Sequence, residues 1–293
     1  MKVALYRQDA RTRVGVVVDG RLHEIPGETS VAGFLAGGAE ARHRAEQAAS
    51  SAGVTLDAVE FLPTLRGADK FICVGRNYLE HVKEAGREVP KLPVLFSRYW
   101  SSVVGHRQAL LRPQLSEQLD YEGELCAVIG RECRYVPRER ALEMVGGYTI
   151  LQEGSVRDWQ LRAPTQMAGK NFLHSGALGP WLVTSDEIPD PQNLRLTTRL
   201  NGRVMQDANT GGMLYDVGFL VSYISQFMPL LPGDVIATGT PPGVGFARKP
   251  PVWLRAGDRI EVEIERIGVL ENNVVDEPET PEALASSWRS VSV

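Results

Sequence analysis

Leu119-Asp120-Tyr121-Glu122-Gly123-Glu124-Leu125 runs directly into Cys126-Ala127-Val128-Ile129-Gly130. The second stretch is a short, unbroken apolar run ending at glycine, the pattern of a buried strand. Side chains alternate faces along a strand, so Glu122 and Glu124 point the same way, with Asp120 on their face. Neighbouring carboxylates with no counter-charge repel one another. A divalent cation relieves that repulsion, and a hard cation such as Mg²⁺ takes carboxylate oxygens. The spacing alone fits an acidic, solvent-exposed strand edge equally well.

The 293 residues are enough for one large domain and a small one. A hydrophobic fraction of 43% and a charged fraction of 23% are ordinary for a globular chain. A net charge of −4 argues against a general nucleic-acid binder. No apolar stretch approaches the length that spans a bilayer, so no membrane partner is expected. The charges in MKVALYRQDARTRVG come too early for a signal peptide, and a cytoplasmic location is expected. Cys73, Cys126 and Cys133 form no CxxC pair and read as buried free thiols of a reducing compartment.

The 29 glycines and 18 prolines suit a turn-rich β architecture, and the fold class expected is mainly β with α+β additions. Val3–Tyr6, Val14–Val18 and Leu22–Ile25 read as strands, with Asp19-Gly20 as a hairpin turn. An Ala-rich helical segment follows over about 29–50. Residues 1–65 therefore read as a small N-terminal α+β domain, and 66–293 as the catalytic body. Asn201-Gly202 marks a second hairpin, 233–239 and 259–265 are strands, and 138–145 and 213–227 carry helical patterns. The Pro-, Glu- and Ser-rich tail after Asp276 is expected to be mobile at its end.

Polar clusters fall where these strands end. Gly75-Arg76-Asn77-Tyr78 leads into a turn that sets His81 and Glu84 at i and i+3. That is the arrangement of a carboxylate-oriented general base, although on spacing alone an exposed surface ion pair is the commoner case. Glu153, in Gln152-Glu153-Gly154-Ser155, offers a third carboxylate. The same segment also reads as a helix start, with Ser155 as N-cap and Asp158 at N3. Lys170, between glycine and apolar residues, suits the neighbourhood of a developing anion. The loop from Thr238 to Gly245 lacks the GK[ST] ending of a phosphate loop. It reads either as a tight turn or as a source of N–H groups and hydroxyls for a carboxylate.

Taken together, the chain resembles the fumarylacetoacetate hydrolase family over residues 70–275. GRNYLEHVKE, SSVVG, DYEGEL, SVRDWQ, GKNF with LGPWLVT, NGRVMQDANT, PGDVIATGTPPGVG and RIEVEIE occur in that order. The resemblance implies a mixed β-sheet body, usually a homodimer, and a Mg²⁺ or Mn²⁺ site made by Glu122, Glu124 and Glu153. It implies His81 and Glu84 as the catalytic pair, Lys170 as the oxyanion partner, and Arg76, Tyr78, Arg157, Gln160 and Thr240 near substrate.

Three departures accompany it. Glu153 stands where aspartate is usual, with Gly154 after it expected to accommodate the longer side chain through unusual dihedrals. Leu173-His174 replaces an acidic pattern. Arg98 stands where lysine is frequent and is expected to reshape the substrate end of the pocket. The resulting expectation is a metal-dependent hydrolase of a C–C bond in a 1,3-diketo acid such as an acylpyruvate. The alternatives are decarboxylation or tautomerisation of a β-keto acid on the same site, or a catalytically silent ligand-binding relative.

Overall fold

A computed structural model describes residues 1–279. The end of the tail expected to be mobile lies outside the described residues. The strands used below are β1 (Lys2–Gln8), β2 (Arg11–Val18), β3 (Arg21–Glu24), β4 (Phe71–Gly75), β5 (Val94–Ser97), β6 (Gly123–Ile129), β7 (Val145–Gln152), β8 (Gly176–Thr184), β9 (Arg195–Leu200), β10 (Arg203–Asn209), β11 (Val235–Ala237), β12 (Arg259–Ile264) and β13 (Gly268–Asp276). The α-helices are α1 (Val31–Ala36), α2 (Gly38–Ala48), α3 (Leu79–Glu84), α4 (Arg157–Gln160), α5 (Met167–Lys170) and α6 (Val217–Ser225).

A mixed twelve-stranded sheet has the main order β3-β2-β1-β8-β7-β6-β11-β4-β5, with short strands added. A five-stranded sheet, β10-β9-β12-β13 and Leu110–Arg112, packs against one of its faces. The mainly-β expectation holds. β1 pairs with β8, so the leading segment shares the large sheet with the body.

The pleat of β6 explains the layering. Leu125, Ala127 and Ile129 enter the core shared with the five-stranded sheet and with Val217, Leu220 and Ile224 of α6. Cys126 and Val128 enter the opposite core, against Phe34, Ala41 and Ala45 of α1 and α2. A strand buried on both faces reads as an unbroken apolar run. All three cysteines are buried and unpaired.

Both turn pairs expected from sequence close hairpins, with Asp19-Gly20 and Asn201-Gly202 at positive φ. Two helical expectations are corrected. Arg138–Met144 is a 3₁₀ segment, not an α-helix. α6 starts only at Val217, because the Asp216 carboxylate caps it by accepting from Phe219 N at 2.6 Å. Met213 instead bridges to Tyr78 in extended backbone. No helix among the described residues is long and apolar enough to cross a membrane.

Candidate metal centre

Strand register builds the site. β6 runs antiparallel to β7, pairing Gly123 with Gln152 and Glu124 with Leu151. One step further, Glu153 N donates to the Glu122 carbonyl at 2.8 Å. β11 lies antiparallel on the other side of β6 and parallel to β4. The start of β6 therefore meets the ends of β7, β11 and β4. Each end delivers polar residues: Glu153 after β7, Gly239 and Thr240 after β11, and Arg76 and α3 after β4.

Glu122, Glu124 and Glu153 are buried, and one carboxylate oxygen of each lies within 4.8 Å of the others. Asp120 does not join them. It accepts from Arg157 Nε at 2.8 Å, Gly245 N at 2.7 Å and Phe246 N at 3.1 Å. The short pairing of Leu119-Asp120 with Ser155-Val156 draws it away. That pairing also corrects the expected capping segment. α4 is preceded by Val156 without a side-chain cap, while the Ser155 hydroxyl donates to the Glu153 carbonyl at 3.1 Å.

The carboxylates do have counter-charges, contrary to the reading of the strand alone. Arg157 Nη2 lies 2.6 Å from Glu122 Oε1, and Lys170 Nζ lies 2.7 Å from Glu153 Oε2 and also reaches Glu122. Burial opposes the charge of Glu122, but Arg157 and Lys170 hold its carboxyl well below the usual range. Burial, with Glu153 and Glu122 beside it, pushes Glu124 well up. Burial opposes the Lys170 ammonium too, yet Glu122 and Glu153 outweigh it and raise its pKa.

The donor set fits a hard divalent cation. Three acidic oxygens converge, and Glu153 Oε1 is buried with no hydrogen-bond partner. An orphaned buried carboxylate oxygen is costly unless a cation completes it.

Gly154 matters for space rather than for dihedrals. It is outside the left-handed region, but a Cβ there would fall 1.7 Å from the Ser175 carbonyl oxygen. Arg98, expected at the substrate end, is instead buried behind the triad. Its Nη1 donates to the Gly154 carbonyl at 3.1 Å and lies 3.7 Å from Glu153 Oε1. Its position at the end of β5, beside β4, directs it beneath the cavity floor. Leu173 is exposed, and His174 is a turn residue at positive φ whose N–H donates to the Ser101 carbonyl at 3.2 Å.

A cavity of about 440 Å³ opens over the triad. Its lining includes His81, Lys170, Arg76, Arg157, Gln160 and Thr240. His81 Nδ1 lies 3.4 Å from Glu84 Oε2. Glu84 in turn accepts from Gly243 N at 3.0 and 3.1 Å through its two oxygens, which ties α3 to the loop after β11. Gln206 holds that loop, donating to Thr240 Oγ1 and the Pro241 carbonyl at 2.8 Å while accepting from Gly123 N at 2.9 Å. Tyr78 is buried outside the lining, and its hydroxyl has no partner.

Sequence reasoning missed Gln206 and the cavity-lining Arg87 and Arg162. Gln206 lies within the quoted NGRVMQDANT segment. The other two stand in loops, where no periodicity marks them. The loop from Thr238 to Gly245 does supply N–H groups to carboxylates: Gly239 to Glu124, Gly243 to Glu84 and Gly245 to Asp120.

A mixed sheet whose strand ends carry a buried three-carboxylate pocket with a His–Glu pair defines the class of protein. The chain belongs to the fumarylacetoacetate hydrolase family: residues 70–275 match the model described as fumarylacetoacetate (FAA) hydrolase, C-terminal. It is 44% identical over 219 residues to a mitochondrial oxaloacetate tautomerase of Homo sapiens, covering 74% of this chain and 70% of that one. The maleylpyruvate hydrolase of Sphingobium sp. SYK-6, solved with manganese(II) ion and pyruvate, superposes with a TM-score of 0.80 at 27% identity, covering 95% of this chain and 100% of that one. The 5-carboxymethyl-2-hydroxymuconate delta-isomerase of Mycobacterium smegmatis gives 0.76 at 34% identity, over 95% of this chain and 100% of that one.

Proposed function

We propose that this chain is a divalent-cation-dependent enzyme that moves a proton at the carbon beside the ketone of a 2-keto acid, interconverting its keto and enol forms. One observation carries this reading. A buried carboxylate triad with an orphaned oxygen, a charged lysine and a His–Glu pair border a single cavity. The 44% identity to oxaloacetate tautomerases supports proton transfer over the C–C hydrolysis expected from sequence.

Glu122, Glu124 and Glu153 would hold the cation, Mg²⁺ or Mn²⁺, whose charge would polarise a keto oxygen and offset that of an enolate. His81 turns Nδ1 toward Glu84, leaving Nε2 to take the proton from carbon and deliver it to the enolate oxygen, and to carry it back in the enol-to-keto direction. Glu84, fixed by Gly243 N–H, orients the ring. Lys170 supplies positive charge at the developing enolate oxygen. Arg157, Gln160, Arg76 and Thr240 bind the keto acid.

Hydrolysis is the second reading, supported by the similarity to the maleylpyruvate hydrolase. There His81 takes its proton from water, hydroxide adds to the distal carbonyl, and the C–C bond breaks with its electron pair left as the same enolate. Three buried thiols suit a reducing compartment. The resemblance further implies a homodimer, which sedimentation equilibrium tests.

The deciding experiment follows oxaloacetate and an acylpyruvate by NMR in deuterated buffer with Mg²⁺. Accelerated keto–enol interconversion and deuteration without cleavage is expected for oxaloacetate. Release of two acids from the acylpyruvate would favour hydrolysis. Rates equal to those without protein, for both compounds, would overturn both readings.

A further inference from the structure

Arg98, Arg157 and Lys170 are the buried arginines and lysines among the described residues. Arg157 and Lys170 each hydrogen-bond two carboxylates. Arg98 hydrogen-bonds none, although its side chain is wholly shielded from solvent. Its guanidinium donates only to uncharged acceptors: the Gly154 carbonyl at 3.1 Å, the Ser102 carbonyl at 3.3 Å and Ser175 Oγ at 2.9 Å. Its Nε has no partner. A buried guanidinium is costly without a counter-charge. The counter-charge within 4.0 Å is Glu153, whose Oε1 lies 3.7 Å from Nη1. That oxygen is the one carboxylate atom among the buried, unpartnered polar atoms of the described residues.

The seat of this side chain is shaped for a planar fork. A Cβ on Gly176 would fall 2.5 Å from Arg98 Nη2 and 2.8 Å from its Cζ, so the guanidinium lies against bare backbone at the start of β8. Ser175 Oγ, which accepts from Nη2, donates onward to the Phe172 carbonyl at 2.9 Å. Nη1 meanwhile binds the carbonyl of Gly154, the residue directly after Glu153. The fork therefore joins the backbone that follows β7 to the backbone that precedes β8. A lysine ammonium is a point charge and cannot span these acceptors in one plane. At 3.7 Å the contact with Glu153 is an ion pair and not a hydrogen bond. A carboxylate offers about four lone-pair sites, and a charge at this distance attracts Oε1 without claiming one of them.

We propose that Arg98 is a positioning residue for the cation ligand Glu153. Its fork fixes the Gly154 carbonyl, and its charge holds Glu153 Oε1 while leaving the lone pairs of that oxygen open to the cation. This rests on the three-carboxylate reading of the site. Arg98 touches neither the cavity nor the substrate and acts through Glu153 alone.

The test is a double-mutant cycle on Mg²⁺ affinity, by calorimetry on wild type, R98K, E153D and R98K/E153D, with denaturant unfolding of each. R98K keeps the charge and loses the fork. It should bind Mg²⁺ about 10-fold more weakly, the lower end of the cost of losing a group that orients a metal ligand. E153D draws the carboxylate back from the fork. The combined loss should therefore fall at least about 3-fold short of the product of the two single losses, as for residues that share one contact. S175A removes one anchor of the fork and neither charge, and should weaken Mg²⁺ binding about 3-fold, the scale of one neutral hydrogen bond. It replaces R98K in the cycle should R98K fail to fold. Unchanged Mg²⁺ affinity, or losses that multiply, would overturn the positioning role even where stability falls, and would leave the three-carboxylate site standing. Failure of the wild-type protein to bind Mg²⁺ would overturn that site, and the positioning role with it.

Discussion

The Glu153 amide donates to the Glu122 carbonyl at 2.8 Å, one step beyond the regular pairing of their strands. That extra rung sets two of the three carboxylates opposite each other and ties the candidate cation site to the register of the central sheet. A slip of one residue would send Glu122 and Glu124 to the other face.

Gly154 guards this rung. Gly154→Ala would place a methyl 1.7 Å from the Ser175 carbonyl oxygen, so the backbone carrying Glu153 must move. We expect a stability loss of about 1–3 kcal/mol, as for other overpacked sites. Mg²⁺ affinity should fall with it. Denaturant unfolding and calorimetry on the same sample check both effects.

His81→Ala should lower kcat on the order of 10²–10⁴-fold, the usual loss for a general base. Mg²⁺ affinity should hold, because His81 lies outside the triad. Glu84→Ala should give a smaller loss, since the ring remains but loses its anchor to Gly243. Steady-state kinetics on both variants, compared with their metal titrations, decides it. Near-normal turnover in His81→Ala removes it from the mechanism.

Lys170→Met separates charge supply from metal holding. The ammonium bonds Glu122 Oε2 and Glu153 Oε2, on two of the three carboxylates a cation would use. Its removal should cut kcat by about 10²–10³-fold, the scale of losing one enolate-stabilising donor. Mg²⁺ affinity should not weaken, because a competitor for those carboxylates is gone. Weaker binding in the variant would show that the lysine supports the cation instead.

His106 makes stability depend on acid. Its Nδ1 accepts from Glu271 N at 3.2 Å, joining the segment after Val104 to β13. Burial, with Arg107 adding to it, pushes its pKa down from 6.5 to about 4. The unfolded chain therefore binds this proton at higher pH than the folded one. The stabilisation is fully present above about pH 6.5 and is lost as pH falls toward 4, by on the order of 3 kcal/mol at most. His106→Gln, which keeps an acceptor without the titration, should show a shallower fall in unfolding free energy over that window. Identical slopes would exclude His106 as a source.

Much of this was legible in the sequence because it depended on local pattern. The apolar run after Glu124 is a strand buried on both faces, and the two turn pairs each close a hairpin. The placement of His81 one helical turn before Glu84 followed from spacing in the same way. What spacing could not supply was contact between distant segments. Asp120 shares strand parity with Glu122, yet the amides of Gly245 and Phe246 claim it. Arg98 looked like a pocket residue and lies beneath Glu153. The fit of Gly154 against Ser175 depends on backbone from another strand. α6 began later than its apolar pattern because Asp216 caps it.

The chemistry proposed for the cavity depends on Glu122, Glu124 and Glu153 holding one divalent cation. Calorimetric titration of Mg²⁺ into wild type and Glu153→Ala tests it most directly. One site per chain is expected in the wild type, with an affinity at least about 100-fold weaker in the variant, beyond the usual cost of losing an outer-sphere partner. Glu153→Asp should retain part of the affinity. Equal affinities in wild type and Glu153→Ala would mean that Glu153 is no ligand and that no three-carboxylate site exists.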